Sequence, residues 1–88
     1  MQFEWDEEKE QKNIRKHGID FSTAALVFGD DNRIELYDES HSFDEDRYIT
    51  IGMVNNILTV VYTVRTDAYR IISARIATNA EKEEYYGS

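Results

Sequence analysis

The stretch Tyr69–Ala77, YRIISARIA, has the composition of a core strand and still carries Arg70 and Arg75. An unpaired guanidinium is costly to bury, so each arginine has to meet water at a rim or on an open face. Strict alternation puts Arg70, Ile72, Ala74 and Ile76 on one face and Tyr69, Ile71, Ser73 and Arg75 on the other. Only the first set packs without burying Ser73 and Arg75. Arg75 is therefore predicted on an open face, with Arg70 at the core-side rim. Arg65, Thr59, Thr63, Ser73 and Tyr48 are predicted beside Arg75, which makes a surface of two guanidiniums among hydroxyls. The planar fork of arginine suits phosphate or carboxylate. The same residues would also serve as solubilising groups, because an antiparallel sheet can keep one wet face.

Lys16–His17–Gly18 is a second candidate. His17 titrates near neutrality when unperturbed and suits general acid or base work; it also suits the last turn of a helix, capping carbonyls. His41 stands alone in a polar loop. With two histidines, not at helical spacing, and no cysteine, a zinc site lacks ligands. The acidic run from Asp30 to Asp46 lacks the spacing and glycine of an EF-hand loop, and reads as a solvated loop or a docking surface for a basic partner. Tyr85 and Tyr86 offer rings on which a base can stack, or one packs and one is exposed. No Gly-rich phosphate loop, nucleophile elbow or kinase signature occurs.

The totals narrow the class. Eighty-eight residues suit one domain, taken as residues 1–88. The opening MQFEWDEEKE resembles neither a signal peptide nor a transit peptide, and no apolar run is long enough to span a membrane, so a cytoplasmic protein with no membrane partner is expected. A net charge of −8 argues against generic, salt-driven nucleic-acid binding. That charge is uneven. Residues 30–46 hold eight carboxylates and one arginine, whereas residues 47–76 hold four arginines and one carboxylate.

The elements that would position these groups follow from periodicity. Asp6 is a good N-cap for EEKEQKNIRKH, a charged helix packed mainly through Ile14, with Gly18 as its left-handed stop. Residues 20–28 read as a second helix, with Phe21, Ala24, Ala25 and Phe28 at helical spacing. The strands RIELYD, RYITIGMV, ILTVVYTVR and YRIISARIA follow, then a helix capped by Thr78 or Asn79. A two-residue turn at Asn55–Asn56 would face Met53 with Leu58, Ile51 with Val60 and Ile49 with Tyr62. A three-residue loop, Thr66–Ala68, would pair Ile72 with Tyr62, Ala74 with Val60 and Arg75 with Thr59. The expected α+β fold is an N-terminal αα-hairpin, a four-stranded antiparallel meander and a C-terminal helix.

In order, FEWDEEK…N..KHGIDF..A..VF.D, H…E.R…IG and V.YT.R….RIISAR.A…E…Y resemble the BrnT family of bacterial toxin components, from Phe3 to Tyr85. The resemblance implies a RelE-like fold and a ribonuclease that arrests translation by cleaving mRNA, free or on the ribosome. It also implies a BrnA-type ribbon-helix-helix antitoxin, encoded alongside, through which alone the toxin meets promoter DNA. The implied chemistry uses no metal and no cofactor. A base deprotonates a ribose 2′-OH, the oxygen attacks phosphorus, and fixed cations meet the developing charge. Arg65 and Arg75 match family positions for those cations. Arg47, Arg70, Tyr48 and Ser73 are expected to bind RNA. Lys16, His17, Glu45 and Tyr85 are the unranked candidates for proton transfer. The acidic total fits poorly with a free-standing RNA scavenger. A non-catalytic antitoxin-binding and corepressor module is therefore the rival reading, with a single-strand RNA binder using Tyr48 and Tyr69 behind it.

Overall fold

The computed structural model describes residues 2–87, so Met1 and Ser88 of the expected 1–88 domain lie outside them. A five-stranded mixed sheet runs in the order β1-β5-β4-β3-β2, with β1 Gln2–Glu4, β2 Ile34–Tyr37, β3 Tyr48–Val54, β4 Asn56–Val64 and β5 Ala68–Ile76. Helices α1 (Glu7–His17) and α2 (Phe21–Leu26) lie between β1 and β2, and α3 (Asn79–Gly87) closes the chain. The expected four-stranded antiparallel meander behind a helical hairpin is corrected by β1. This strand precedes the helices and pairs in parallel with β5, matching Phe3 to Tyr69 and Glu4 to Arg70. Three residues are too few for alternation to show, and the partner of Glu4 lies 66 positions away.

Asp6 accepts the Lys9 N–H at 3.0 Å to start α1, and Gly18, at φ 71°, ends it. The buried residues of α1 are Glu10 and Asn13, three apart and so on one face. Glu10 accepts the N–H of Phe21 at 2.9 Å, holding the start of α2. Asn13 donates to the carbonyls of Ile19 at 3.0 Å and Ala74 at 2.8 Å, and accepts the Ala74 N–H at 3.1 Å. Beyond the end of β1, its carboxamide stands where another strand would have paired. A weak apolar stripe is thus no obstacle, because α1 docks through hydrogen bonds. Under the helices, Ile19, Phe21, Ala24 and Val27 meet Leu58, Val60, Ile71 and Ala74 in the main core. Val27 comes so close to β3 that a Cβ on Gly52 would lie 2.8 Å from its Cγ1.

The β3–β4 turn closes on Asn55 alone, at φ 62°, and pairs Met53 with Ile57, Gly52 with Leu58, Ile51 with Thr59 and Tyr48 with Tyr62. This is one residue from the expected register, and a one-residue slip exchanges faces. Tyr48, Thr50 and Gly52 join Leu58, Val60 and Tyr62 on the helix side. Ile49, Ile51 and Ile57 turn to the other side. They are not stranded there, because Tyr85 of α3 and Ala77, which follows β5, pack among Ile34, Ile49, Ile51 and Ile57. With apolar residues on both faces of β4, matching faces could not select the register.

Thr59 pairs with Arg75 and Val60 with Ala74, as the sequence predicts; a bulge then shifts the ladder, pairing Val61 with Ser73, Tyr62 with Ile71 and Thr63 with Arg70. Ile72 is the extra residue. Arg65 and Ala68 bond to each other's backbone, which leaves the two-residue loop Thr66–Asp67. A shorter loop plus a bulge reaches the same Val60–Ala74 pair as a longer loop without one. The expectation that Arg70 and Arg75 take opposite faces is corrected. Both lie with Ser73 on the α3 side, while Tyr69 and Ile71 turn under the helices. The bulge resolves the parity conflict by burying Ile71 rather than a guanidinium.

Candidate functional site

Three adjacent strands align side chains at the tip end of the α3-side face. Glu4, Arg70 and Thr63 sit opposite one another on β1, β5 and β4. Arg65, which bonds Ala68, is the diagonal neighbour of Arg70, about 7–8 Å away between backbones. Arg47 still belongs to the β2–β3 ladder, since its carbonyl accepts the Asp38 N–H at 2.9 Å, and the register carries it opposite Thr63. Arg70 pairs with Glu4 at 2.7 Å and Arg65 with Glu45 at 3.4 Å. Thr63 Oγ1 donates to the Asp46 carbonyl at 2.8 Å, pinning the loop that carries Glu45 and Arg47. Arg47 makes no ion pair among the described residues. The result is three arginines around one threonine, with two exchangeable carboxylates.

Arg75 has a different setting. Its guanidinium grips Glu81 of α3 through two bonds, of 2.7 and 3.0 Å. Glu81 also accepts from Thr59 Oγ1 at 2.9 Å and from the Thr78 N–H at 2.8 Å, while Thr78 Oγ1 accepts the Glu81 N–H at 3.2 Å. Thr78-Asn79-Ala80-Glu81 is therefore a capping box whose acid is also tied to the sheet. Arg75 first, with the bonds from Thr78 and Thr59, holds the Glu81 carboxyl down at about 2. Arg75 opposes Thr59, six residues along β4 from Arg65, a separation of about 20 Å. The two arginines cannot grip one phosphate.

Lys16 and His17 end α1 and, with Lys9, Lys12, Asn13, Ile72 and Ser73, line a pocket of about 270 Å³ against β5. Tyr85 lies at the far end of the sheet from Arg65. Its hydroxyl donates at 2.5 Å to Asp30 Oδ2, which also accepts the Met53 N–H at 2.8 Å. Chiefly through this bond the Tyr85 hydroxyl is pushed up to about 12 and the Asp30 carboxyl is lowered. Tyr48 faces the helix side rather than the arginines. There Phe3, Tyr69, Tyr62, Tyr48 and Tyr37 form a row of rings across all five strands, with centroid spacings of 6.0, 5.1, 5.7 and 5.6 Å.

The structure thus unites Arg47, Arg65, Arg70 and Glu45. It groups Lys16, His17 and Ser73 separately, and leaves Arg75, Tyr85 and Tyr48 elsewhere. Sequence reasoning missed Glu4, Asn13 and Glu81. Of these, only Glu81 had a local signal, the T-x-x-E spacing.

A small α+β domain with clustered arginines and hydroxyls on one sheet face has the equipment of a phosphodiester-binding protein. Residues 5–81 match the family described as ribonuclease toxin, BrnT, of type II toxin-antitoxin system, and the chain belongs to that family. Membership makes it a ribonuclease toxin, with RNA as substrate and an antitoxin as partner. Comparison with curated proteins gives no match. Among the described residues no helix is long and apolar enough to cross a membrane.

Proposed function

We propose that the chain is a one-domain, cytoplasmic endoribonuclease that arrests translation by metal-independent transesterification of mRNA at the Arg47–Arg65–Arg70 cluster. The observation that carries this reading is the Ile72 bulge, which brings Arg70 onto the face of Arg65 and next to it. A phosphodiester entering the cluster replaces Glu45 on Arg65 and Glu4 on Arg70, exchanging carboxylates for phosphoryl oxygens. Glu45, released beside the phosphate, accepts the proton of the 2′-OH. The 2′-oxygen then forms its bond to phosphorus as the bond to the 5′-oxygen breaks, and that oxygen takes a proton from water. The products are a 2′,3′-cyclic phosphate and a 5′-hydroxyl. The arginines stabilise the charge that gathers on the phosphoryl oxygens. Lys16, His17 and Ser73 hold a flanking nucleotide, while Arg75 and Tyr85 act by seating α3. The antitoxin is of the BrnA ribbon-helix-helix type and brings the toxin to their shared promoter.

Single-stranded RNA incubated with purified protein in chelator tests the reading. Arg65→Ala and Arg70→Ala should each slow cleavage about 10²–10³-fold, the usual cost of one group that stabilises transition-state charge. Unchanged folding and cyclic-phosphate ends would complete the case. RNA left intact by folded wild-type protein would sink it. Such a result would favour the antitoxin-binding and corepressor reading, to which the existing carboxylate on Arg65, Arg70 and Arg75 already lends support.

A further inference from the structure

At the opposite margin the sheet ends on β2, which among the described residues pairs with β3 alone. The Asp38 N–H bonds the Arg47 carbonyl at 2.9 Å, which sets the parity of this ladder. Asp38, Leu36 and Ile34 direct their backbone groups inward to β3, so Glu35 and Tyr37 direct N–H and C=O outward. Leu36, Tyr37 and Phe43 expose 43%, 51% and 86% of their surfaces along or just beyond this edge. Residues 30–46, which contain this edge, hold eight carboxylates against a single arginine, although Asp30 is held by Tyr85 and Glu45 by Arg65. Proteins commonly protect such edges with charge. Charge alone, however, would not call for three exposed apolar side chains.

We propose that the outer edge of β2 accepts an added strand from the antitoxin, an extended segment in which apolar residues alternate with lysine or arginine. Strand addition gives affinity through main-chain hydrogen bonds and specificity through alternate side chains. Here the pattern is set by β2 itself. Ile34 and Leu36 lie on the α3 side and Glu35 and Tyr37 on the helix side, as their pairing with Ile51, Ile49, Thr50 and Tyr48 requires. The added strand lays its apolar residues beside Leu36 and its cations toward the exposed Glu39 and Asp44, since Glu35 already meets Arg33 at 3.0 Å and the Tyr62 hydroxyl at 2.6 Å. The same acid rejects a second copy of this chain, because pairing two β2 edges would bring two strongly negative segments together. The inference rests on the chain having an antitoxin partner, and not on where or whether RNA is cut.

The test uses the chain alone and in complex with its cognate antitoxin. Amide hydrogen exchange should slow at Glu35 and Tyr37 on complex formation, with little change at Ile34 and Leu36. Tyr37→Pro removes an outward N–H without touching the β3 ladder. It should weaken antitoxin binding about tenfold, the worth of one or two main-chain hydrogen bonds. Because that variant also loses the Tyr37–Tyr48 ring contact, Glu39→Lys with Asp44→Lys supplies a second arm at exposed side chains. It should weaken binding and flatten its salt dependence while leaving thermal stability unchanged. Equal affinity for wild type and both variants, or no change in exchange at Glu35 and Tyr37, overturns the proposal; so does homodimerisation through β2. A wild type that leaves RNA intact, yet is protected by antitoxin at Glu35 and Tyr37, overturns the cleavage reading and supports this one.

Discussion

Glu81→Gln separates the two jobs of the α3 anchor. Glutamine keeps the capping-box hydrogen bonds but removes the charge that faces Arg75. The wild-type carboxyl sits at about 2 against an ordinary 4.5. Fully expressed, that difference is about 3 kcal/mol at 1.36 kcal/mol per unit. The side chains of Arg75 and Glu81 keep 39% and 22% of their exposure, so water screens the pair and about 1–2 kcal/mol should survive. A depressed carboxyl contributes stability above its unfolded value and loses it as pH falls through the folded one. Urea unfolding should therefore find Glu81→Gln about 1–2 kcal/mol less stable at pH 7. The gap should close between pH 4.5 and about 2, as wild-type Glu81 protonates. A gap that stays constant over that interval would refute the ionic account and leave lost packing as the cause. No gap at pH 7 would show that Arg75 does not fasten α3. RNA affinity, measured on the same protein, tells anchor from ligand. If Arg75 serves RNA, freeing it should tighten binding while Arg75→Ala weakens it; a pure anchor leaves affinity unchanged in both.

Two further substitutions probe the frame that holds the site. Asn13→Ala leaves the N–H and C=O of Ala74 unpaired in a buried place, and should cost about 2–4 kcal/mol in chemical unfolding. A loss below 0.5 kcal/mol, on the order of an ordinary surface change, would contradict the strand-substitute role. Gly52→Ala drives a methyl to 2.8 Å from Val27 Cγ1 and should lower stability by about 1–3 kcal/mol. Adding Val27→Ala should recover part of that loss, and a purely additive double mutant would deny the clash.

The sequence showed its elements more clearly than their faces. Asp6 and Gly18 mark α1, and the alternating runs mark β3, β4 and β5, because caps and periodicity are local. Thr59 opposite Arg75 was also legible. Register was not, for physical reasons that can be named. Asn55 turns the chain by itself, and Ile57, Leu58, Val60 and Val61 load both faces of β4, so no single face announced itself as the core. The bulge at Ile72 arises from competition between Ile71 and Arg70 for a buried place, which strict alternation cannot represent. For the site, Arg65 and Arg70 were recognised but assigned to different faces. Glu4 was out of view because its strand exists only by pairing with distant β5. Asn13 was passed over because a buried amide leaves the same trace in a helix as an exposed one.

Asn13 also determines how this sheet can grow. On the β1 side, Gln2–Glu4 presents three residues of backbone, after which the Asn13 carboxamide plugs Ala74 and ends the row. Among the described residues β2 is the longer of the two outer strands, four residues against three. Endless stacking of like units needs a socket on one flank and a tab on the other, and here the β1 flank is cut to three residues, with Asn13 filling the next place on β5. The two margins of the described sheet are therefore unequal, and a strand added at β2 would leave only the three-residue β1 margin on which a fibre could start.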